Sequence, residues 1–184
     1  MGMRVHAYTL HPRPTPASRR DHGWSPPGLG DPEGIYPSAW YSGSSPSDLH
    51  AFLSSGLDLL VIATPLTSAT THLLSKTEFE VLAAAGKGRT FISNVARGPV
   101  IQTDDLIDAL EGNLVKGAAL DVTDPEPLTE GHRLWGTKNV IITPHISGAS
   151  RAYASRVLEI TKVNLERFVE GEELINKVER GRGY

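Results

Sequence analysis

Residues 89–113 read RTFISNVARGPVIQTDDLIDALEGN. Arg89–Val95 carries Thr, Phe, Ile and Val, side chains that suit a half-buried pleated surface, so it is read as a strand. Arg97, Gly98 and Pro99 then turn the chain. Thr103 opens a helix over Asp104–Glu111, with Asp104 and Asp105 in its first turn, where negative charge meets the positive end of the helix dipole. Gly112 and Asn113 close it. One βα unit is thus written out in a single short stretch.

The same grammar extends in both directions. Leu57–Ala63 (LDLLVIA) is nearly continuous apolar sequence, too short for a helix and closed by Pro65, which marks a buried strand. Ser75 followed by Glu78 matches a capping box for a helix over Lys76–Ala85, stopped at Gly86. Downstream, Val115–Val122 and Asn139–Thr143 are strands. Ser150–Glu170 is a long helix with Val157, Ile160, Leu165 and Phe168 on one face. Upstream, Asp48–Ser54 is a short helix and Met3–Tyr8 a strand. Strand–helix alternation of this kind predicts an α/β domain: a Rossmann-like parallel sheet with helices on both faces.

Between the first strand and this regular pattern lies a different composition. From Leu10 to Ser47, 20 of 38 residues are Pro, Gly or Ser, including eight of the thirteen prolines. That density of breakers predicts no helix there. Trp24, Tyr36, Trp40 and Tyr41 argue against disorder, so residues 10–47 are read as a long loop pinned by aromatic anchors, with room for a short strand near Ala39–Ser42. The 184 residues are read as one domain.

Composition excludes several functions. A net charge of −3 offers no basic field for nucleic acid or an anionic membrane. Zero cysteines exclude disulfides, thiolate metal sites and a cysteine nucleophile. Leu57–Ala63 and Val140–Thr143 fall far short of the roughly 20 residues that a membrane span needs, and MGMRVHAYTL lacks the features of a signal peptide. The histidines show no metal spacing, and no metal is assigned. The expected setting is the cytoplasm.

In doubly wound sheets, ligands bind outside the carboxyl ends of the strands, so the residues that follow each strand carry the functional reading. Arg97 brings an always-charged planar guanidinium, suited to bidentate capture of a carboxylate. Asp121 and Glu126 lie in LDVTDPEPL, stiffened by Pro125 and Pro127; a carboxylate on a rigid turn can orient an imidazole. His145, in ITPHISGAS, is the natural proton donor or acceptor near neutral pH. Each alone is more readily read as a structural or solvated side chain. Their convergence on one rim is what gives them chemical meaning.

Four ordered blocks carry a family resemblance: ATPLTSATTHLL (63–74), FISNVARGPVIQTDDLIDALEGN (91–113), GAALDVTDPEPL (117–128) and NVIITPHISGAS (139–150). From about Leu57 to Arg167 the chain resembles the cofactor-binding domain of the D-isomer-specific 2-hydroxyacid dehydrogenases. The resemblance implies that Arg97 holds the substrate carboxylate and carbonyl. It implies that His145 exchanges a proton with the substrate oxygen during hydride transfer, and that Glu126 pairs with His145. Thr64, Pro65, Ala96 and Asp121 fall where the family contacts the nicotinamide half of NAD or NADP, and Val95 and Gly148 complete that set. Where many members carry an acidic residue for the adenosine ribose, this chain has Thr9. Arg13, Arg19 and Arg20 follow it, a pattern that favours NADP through its 2′-phosphate.

The family's GxGxxG turn occurs nowhere in the sequence, and neither does the substrate domain. The chain is therefore read as truncated, beginning just after the pyrophosphate-binding turn and lacking the first βα unit. Weak or absent dinucleotide binding is expected, because the main phosphate anchor is missing. The absent strand would be the central one, so either Arg4–Tyr8 moves in beside Leu57–Ala63 or a second protomer completes the sheet, and a homodimer is expected. The principal functional expectation is the cofactor-binding half of an oxidoreductase acting on a small carboxylate or carbonyl substrate. One alternative is a repurposed domain doing cofactor-independent acid–base chemistry (isomerase, lyase or cyclase type) with the same three residues. Another is a non-catalytic subunit.

Overall fold

In the computed structural model, residues 2–21, 23–86 and 88–178 are described. The short apolar runs form strands β1 (Val5–Thr9), β2 (Pro37–Ser42), β3 (Leu59–Ile62), β4 (Phe91–Asn94), β5 (Gly117–Leu120) and β6 (Val140–Ile142). The helices are α1 (Pro16–Arg19), α2 (Pro46–Leu53), α3 (Lys76–Gly86), α4 (Thr103–Glu111), α5 (Arg133–Gly136) and α6 (Tyr153–Glu170). Every strand pairing is parallel. Parallel strands flanked by helices make this the Rossmann-like α/β architecture that the alternation predicts.

The residues group into two compact units, one spanning His50–Ser147 and the other joining the segments before and after it. In the first unit the strand order is β3-β4-β5-β6. Leu60, Ile62, Ile92, Ala118 and Leu120 are buried with Phe79 and Leu82 of α3 and with Leu106, Ile107 and Leu110 of α4. The Glu78 carboxylate accepts from the Ser75 backbone N–H at 3.1 Å, the glutamate half of the expected capping box on α3, and from the Ser75 hydroxyl at 2.7 Å, so that hydroxyl is a donor here. The start of α4 differs from expectation. Gln102, not Thr103, caps it, its side-chain oxygen accepting from Asp105 N at 3.0 Å. The Thr103 hydroxyl is turned instead to the Asp124 carbonyl at 2.9 Å, a tie between α4 and the turn after β5.

In the second unit β1 pairs with β2 in its own two-stranded sheet. That overturns one expectation: Arg4–Tyr8 does not move in beside Leu57–Ala63. Residues 37–42 have the length, the aromatic Trp40 and Tyr41, and a parallel register with residues 5–9, so β1 takes its hydrogen bonds there. The segment 10–47 is also more regular than its composition predicts. Pro16 sits at the first helical position, where its missing N–H costs nothing, and Thr15 closes a reciprocal capping box with Ser18. The Arg13 and Arg19 guanidinium groups lie 5.9 and 5.8 Å from the Trp40 ring centroid, which makes Trp40 the anchor of this segment. On α6, the apolar Val157, Leu165 and Phe168 are exposed.

Candidate active site

The register of the four-stranded sheet sets the geometry of its carboxyl rim. Ile62, Asn94, Leu120 and Ile142 lie side by side in one row. Val95, Asp121 and Thr143 each come one residue beyond that row, and Arg97 and His145 each come three beyond it. Residues scattered over 50 positions of sequence are thereby delivered to the same edge.

Arg97 is held by a residue that the sequence reading passed over. Asn94 is 1% exposed; its Oδ1 accepts from Ala96 N at 3.0 Å and its Nδ2 donates to Arg97 O at 3.0 Å. This buried amide shapes the turn as a local side-chain bridge. A polar Asn ending an apolar strand was the available signal. Arg97 is exposed, with Nη1 donating to the Ala96 carbonyl at 2.7 Å, and it makes no ion pair with an acidic side chain among the described residues. Its charge is available to an anionic ligand.

His145 and Glu126 meet directly, Nδ1 to Oε1 at 3.0 Å. A carboxylate only accepts, so the proton on this edge sits on Nδ1 and Nε2 is the atom free to take or give a proton. The side chains are 47% and 37% exposed, and an ion pair that wet contributes only about 0–1 kcal/mol to stability. Its value is orientation. His145 adopts φ = +54°, a conformation that costs a non-glycine residue about 1–2 kcal/mol. Its N–H donates to the carbonyls of Asp121 at 2.8 Å and Thr143 at 3.0 Å, which fastens it there.

Asp121 is 5% exposed. Its Oδ1 accepts from the Thr143 hydroxyl at 2.5 Å and Ile146 N at 2.9 Å, and its Oδ2 from Ser147 N at 2.8 Å. Burial by itself pushes this carboxyl up, but hydrogen bonds from Ser147, Thr143 and Ile146 outweigh it and hold the group well below the ordinary carboxylate range. Because its folded-state value is depressed, the stability it contributes is complete above about pH 4 and is lost as pH falls toward the folded value. The stability gap between the native chain and Asp121→Asn is expected to narrow on going from about pH 6 to about pH 2.5. Urea unfolding at both pH values checks this, and a constant gap would contradict it.

A cavity of about 250 Å³ opens on this rim, lined by Val95, Ala119, Leu120, Ile141 and Ile146 with the polar Ser93, Asp121, Thr143 and Ser147. An apolar floor with a few convergent polar groups fits a flat heteroaromatic amide such as the nicotinamide half of NAD(P). The sequence contains no GxGxxG turn, the feature that seats a diphosphate on a helix N-terminus in doubly wound folds. Of the expected cofactor contacts, Val95 and Asp121 line the cavity. Ala96 is buried beneath the Arg97 turn, Thr64 is half-buried and Pro65 exposed on the loop after β3. Thr9, Arg13 and Gly148 belong to the other compact unit. There the Thr9 hydroxyl donates to His11 O and Arg13 Nη1 to Ser18 O. Among the described residues no cluster of three or more His, Asp or Glu is placed to hold a metal ion, and no helix is long and apolar enough to cross a membrane.

A parallel sheet whose carboxyl rim gathers a histidine–carboxylate pair, an arginine without an acidic partner among the described residues and a small apolar cavity is a doubly wound α/β domain with a candidate ligand site at its carboxyl rim. The sequence family fits that class. Residues 37–147 match the NAD binding domain of the D-isomer specific 2-hydroxyacid dehydrogenases, and the chain belongs to that family. It is 36% identical over 134 residues to a glyoxylate reductase of Thermofilum pendens, covering 71% of this chain and 38% of that protein. It is 38% identical over 127 residues to a hydroxypyruvate reductase of Blautia hydrogenotrophica, covering 68% and 38%. The chain thus spans about two fifths of the length of these curated relatives. Among solved structures, a D-isomer specific 2-hydroxyacid dehydrogenase of Xanthobacter autotrophicus, in complex with NADPH and MES, superposes with a TM-score of 0.72 at 29% identity, over 100% of this chain and 64% of that one. An NADPH-dependent glyoxylate/hydroxypyruvate reductase of Sinorhizobium meliloti, in complex with NADP and sulfate, gives 0.68 at 30%, over 79% and 45%.

Proposed function

We propose that this chain is the cofactor-binding half of an oxidoreductase acting between a D-2-hydroxy acid and its 2-oxo acid, of the size of glyoxylate or hydroxypyruvate. The observation that carries the reading is the His145 Nδ1–Glu126 Oε1 contact of 3.0 Å on the same rim as an arginine without an acidic partner. NAD(P), when bound, supplies or accepts the hydride. Arg97 binds the substrate carboxylate and draws electron density from the adjacent carbonyl. His145 gives a proton to the carbonyl oxygen from Nε2 in reduction and takes it back in oxidation, while Glu126 holds Nδ1 and stabilises the imidazolium. Val95, Asp121, Thr64, Pro65 and Ala96 are assigned to the nicotinamide side.

NADP is the preferred cofactor. Thr9 stands where an acidic residue would repel a 2′-phosphate, Arg13 brings positive charge to the same unit, and two of the similar solved proteins carry NADP or NADPH. Binding to this chain alone is weak, because the diphosphate has no glycine-cradled helix N-terminus. Amide NMR during titration with NADPH and NADH tests both statements. The expected result is small, unsaturated shifts at Val95, Asp121 and Ser147 at millimolar cofactor, larger with NADPH. No shifts at those amides would sink the cofactor assignment, and saturation at micromolar cofactor would sink the expected weakness.

A homodimer in the cytoplasm completes the reading. Among the described residues β3 has β4 as its one strand neighbour, and Leu59 and Val61 on one of its faces are 43% and 54% exposed, so both its free edge and that face are open for a second protomer to cover. Light scattering is expected to report twice the 19.9 kDa chain mass, and a monomer at all concentrations would contradict it.

A further inference from the structure

The loop that carries His145 hangs from one buried carboxylate. Asp121 takes the N–H groups of two consecutive residues, Ile146 on Oδ1 and Ser147 on Oδ2. Both bonds survive only while the carboxylate plane keeps one orientation, and the terminal torsion of an aspartate is broad. Side-chain donors fix it further: Ser147 contributes a side-chain hydrogen bond to the same carboxylate, and the Thr143 hydroxyl donates to Oδ1 at 2.5 Å.

Thr143 is well placed for this. It follows Ile142, which pairs with Leu120, and its own N–H donates to Leu120 O at 3.0 Å, so its backbone is fixed to β5 one residue before Asp121. Its β-branch limits χ1, so Oγ1 is presented in few directions. A hydroxyl on an ionised carboxylate is a charge-assisted bond, about twice as strong as a neutral one. His145, at φ = +54°, lies between the clasp and the two amides it secures.

We propose that the Thr143 hydroxyl is a positioning group for His145: by clasping Asp121 it fixes the loop 144–147 and so sets the imidazole Nδ1 against Glu126. The proposal rests on the acid–base reading of the His145–Glu126 pair. Thr143 touches no reacting atom; it acts through Asp121.

Two NMR measurements on the uniformly ¹⁵N-labelled full chain test it, namely ring-nitrogen shifts that report the His145 tautomer and hydrogen exchange at the Ile146 and Ser147 amides. The native chain is expected to show the Nδ1–H tautomer when neutral, and Glu126→Ala to lose it. Thr143→Val is expected to move the tautomer in the same direction and to speed exchange at both amides about tenfold. Thr143→Ser is expected to restore both, which a merely steric role for the threonine would not do. Thr143 is exposed, so valine disturbs no core packing. Thr143→Ala removes the same donor without an added methyl and gives the same two readings. The proposal is overturned if the valine or alanine variant leaves either the tautomer or the exchange at its native value. If Glu126→Ala leaves the tautomer where it was, the pair itself is not formed and the proposal falls with it, a failure read from that spectrum alone.

Discussion

Gly98→Ala is expected to lower the stability of the chain by about 3 kcal/mol, or roughly 6–12 °C in Tm. A Cβ at position 98 would lie 1.9 Å from the Thr123 carbonyl oxygen, 2.2 Å from its carbon and 2.8 Å from Asp124 N. All three are backbone atoms, so no rotamer change relieves the overlap. The turn after β4 and the turn after β5 touch here, and the second is further fastened through the Thr103 hydroxyl to Asp124 O. Forcing them apart separates the Arg97 turn from the Glu126 turn. Thermal unfolding followed by circular dichroism checks the prediction. A variant that melts within about 2 °C of the native chain would show that the two turns yield freely.

His145→Ala is expected to reduce kcat/KM for reduction of a 2-oxo acid by NADPH about 10²–10⁴-fold, the range in which a positioned acid–base group contributes. Under the proposed function the loss belongs mainly to kcat, because the imidazole would act on the proton that moves and not on the part of the substrate that is merely held. Arg97→Lys, which keeps the charge and loses the planar fork, is expected to act mainly on KM. Steady-state kinetics with varied 2-oxo acid separates the two. Turnover unchanged by His145→Ala would remove the proton-transfer role and turn the reading toward a non-catalytic subunit. Turnover of a substrate without NADPH that still depends on His145 would favour the redox-neutral alternative.

The three residues proposed for catalysis were legible because each lies in the segment that follows a strand composition alone delimits. Arg97 comes after the Phe91–Asn94 run, Glu126 lies between two prolines, and His145 stands behind Pro144. Their supports were not legible. Asn94 was read as an interior residue of the strand Arg89–Val95, and its two bonds become visible only when the turn folds back over it. Thr143 looked like the end of an apolar run; its partner lies 22 residues earlier. Gly98 was read as a turn former, whereas its stricter role is to let another backbone pass. Pro16 was counted among helix breakers, although at a first helical position it is a helix starter.

What the sequence by itself determined is local: the order of the longer strands and helices, the Glu78 end of α3 and the Gly112 end of α4, the parallel α/β class, and the residue types delivered to the carboxyl rim. Those follow from periodicity, backbone restriction and short-range hydrogen bonding, which act within a few residues. Tertiary structure alone decided that β1 takes β2 as its neighbour and not β3, and that Asp121 turns its carboxylate onto the His145 loop. It also decided that Thr103 leaves its cap position to bind Asp124. Each of these joins groups far apart in sequence, and only the alignment of neighbouring strands brings a given donor within reach of a given acceptor. A buried carboxylate must be satisfied wherever that alignment leaves it, and the partner it finds is a property of the register, not of the adjacent residues.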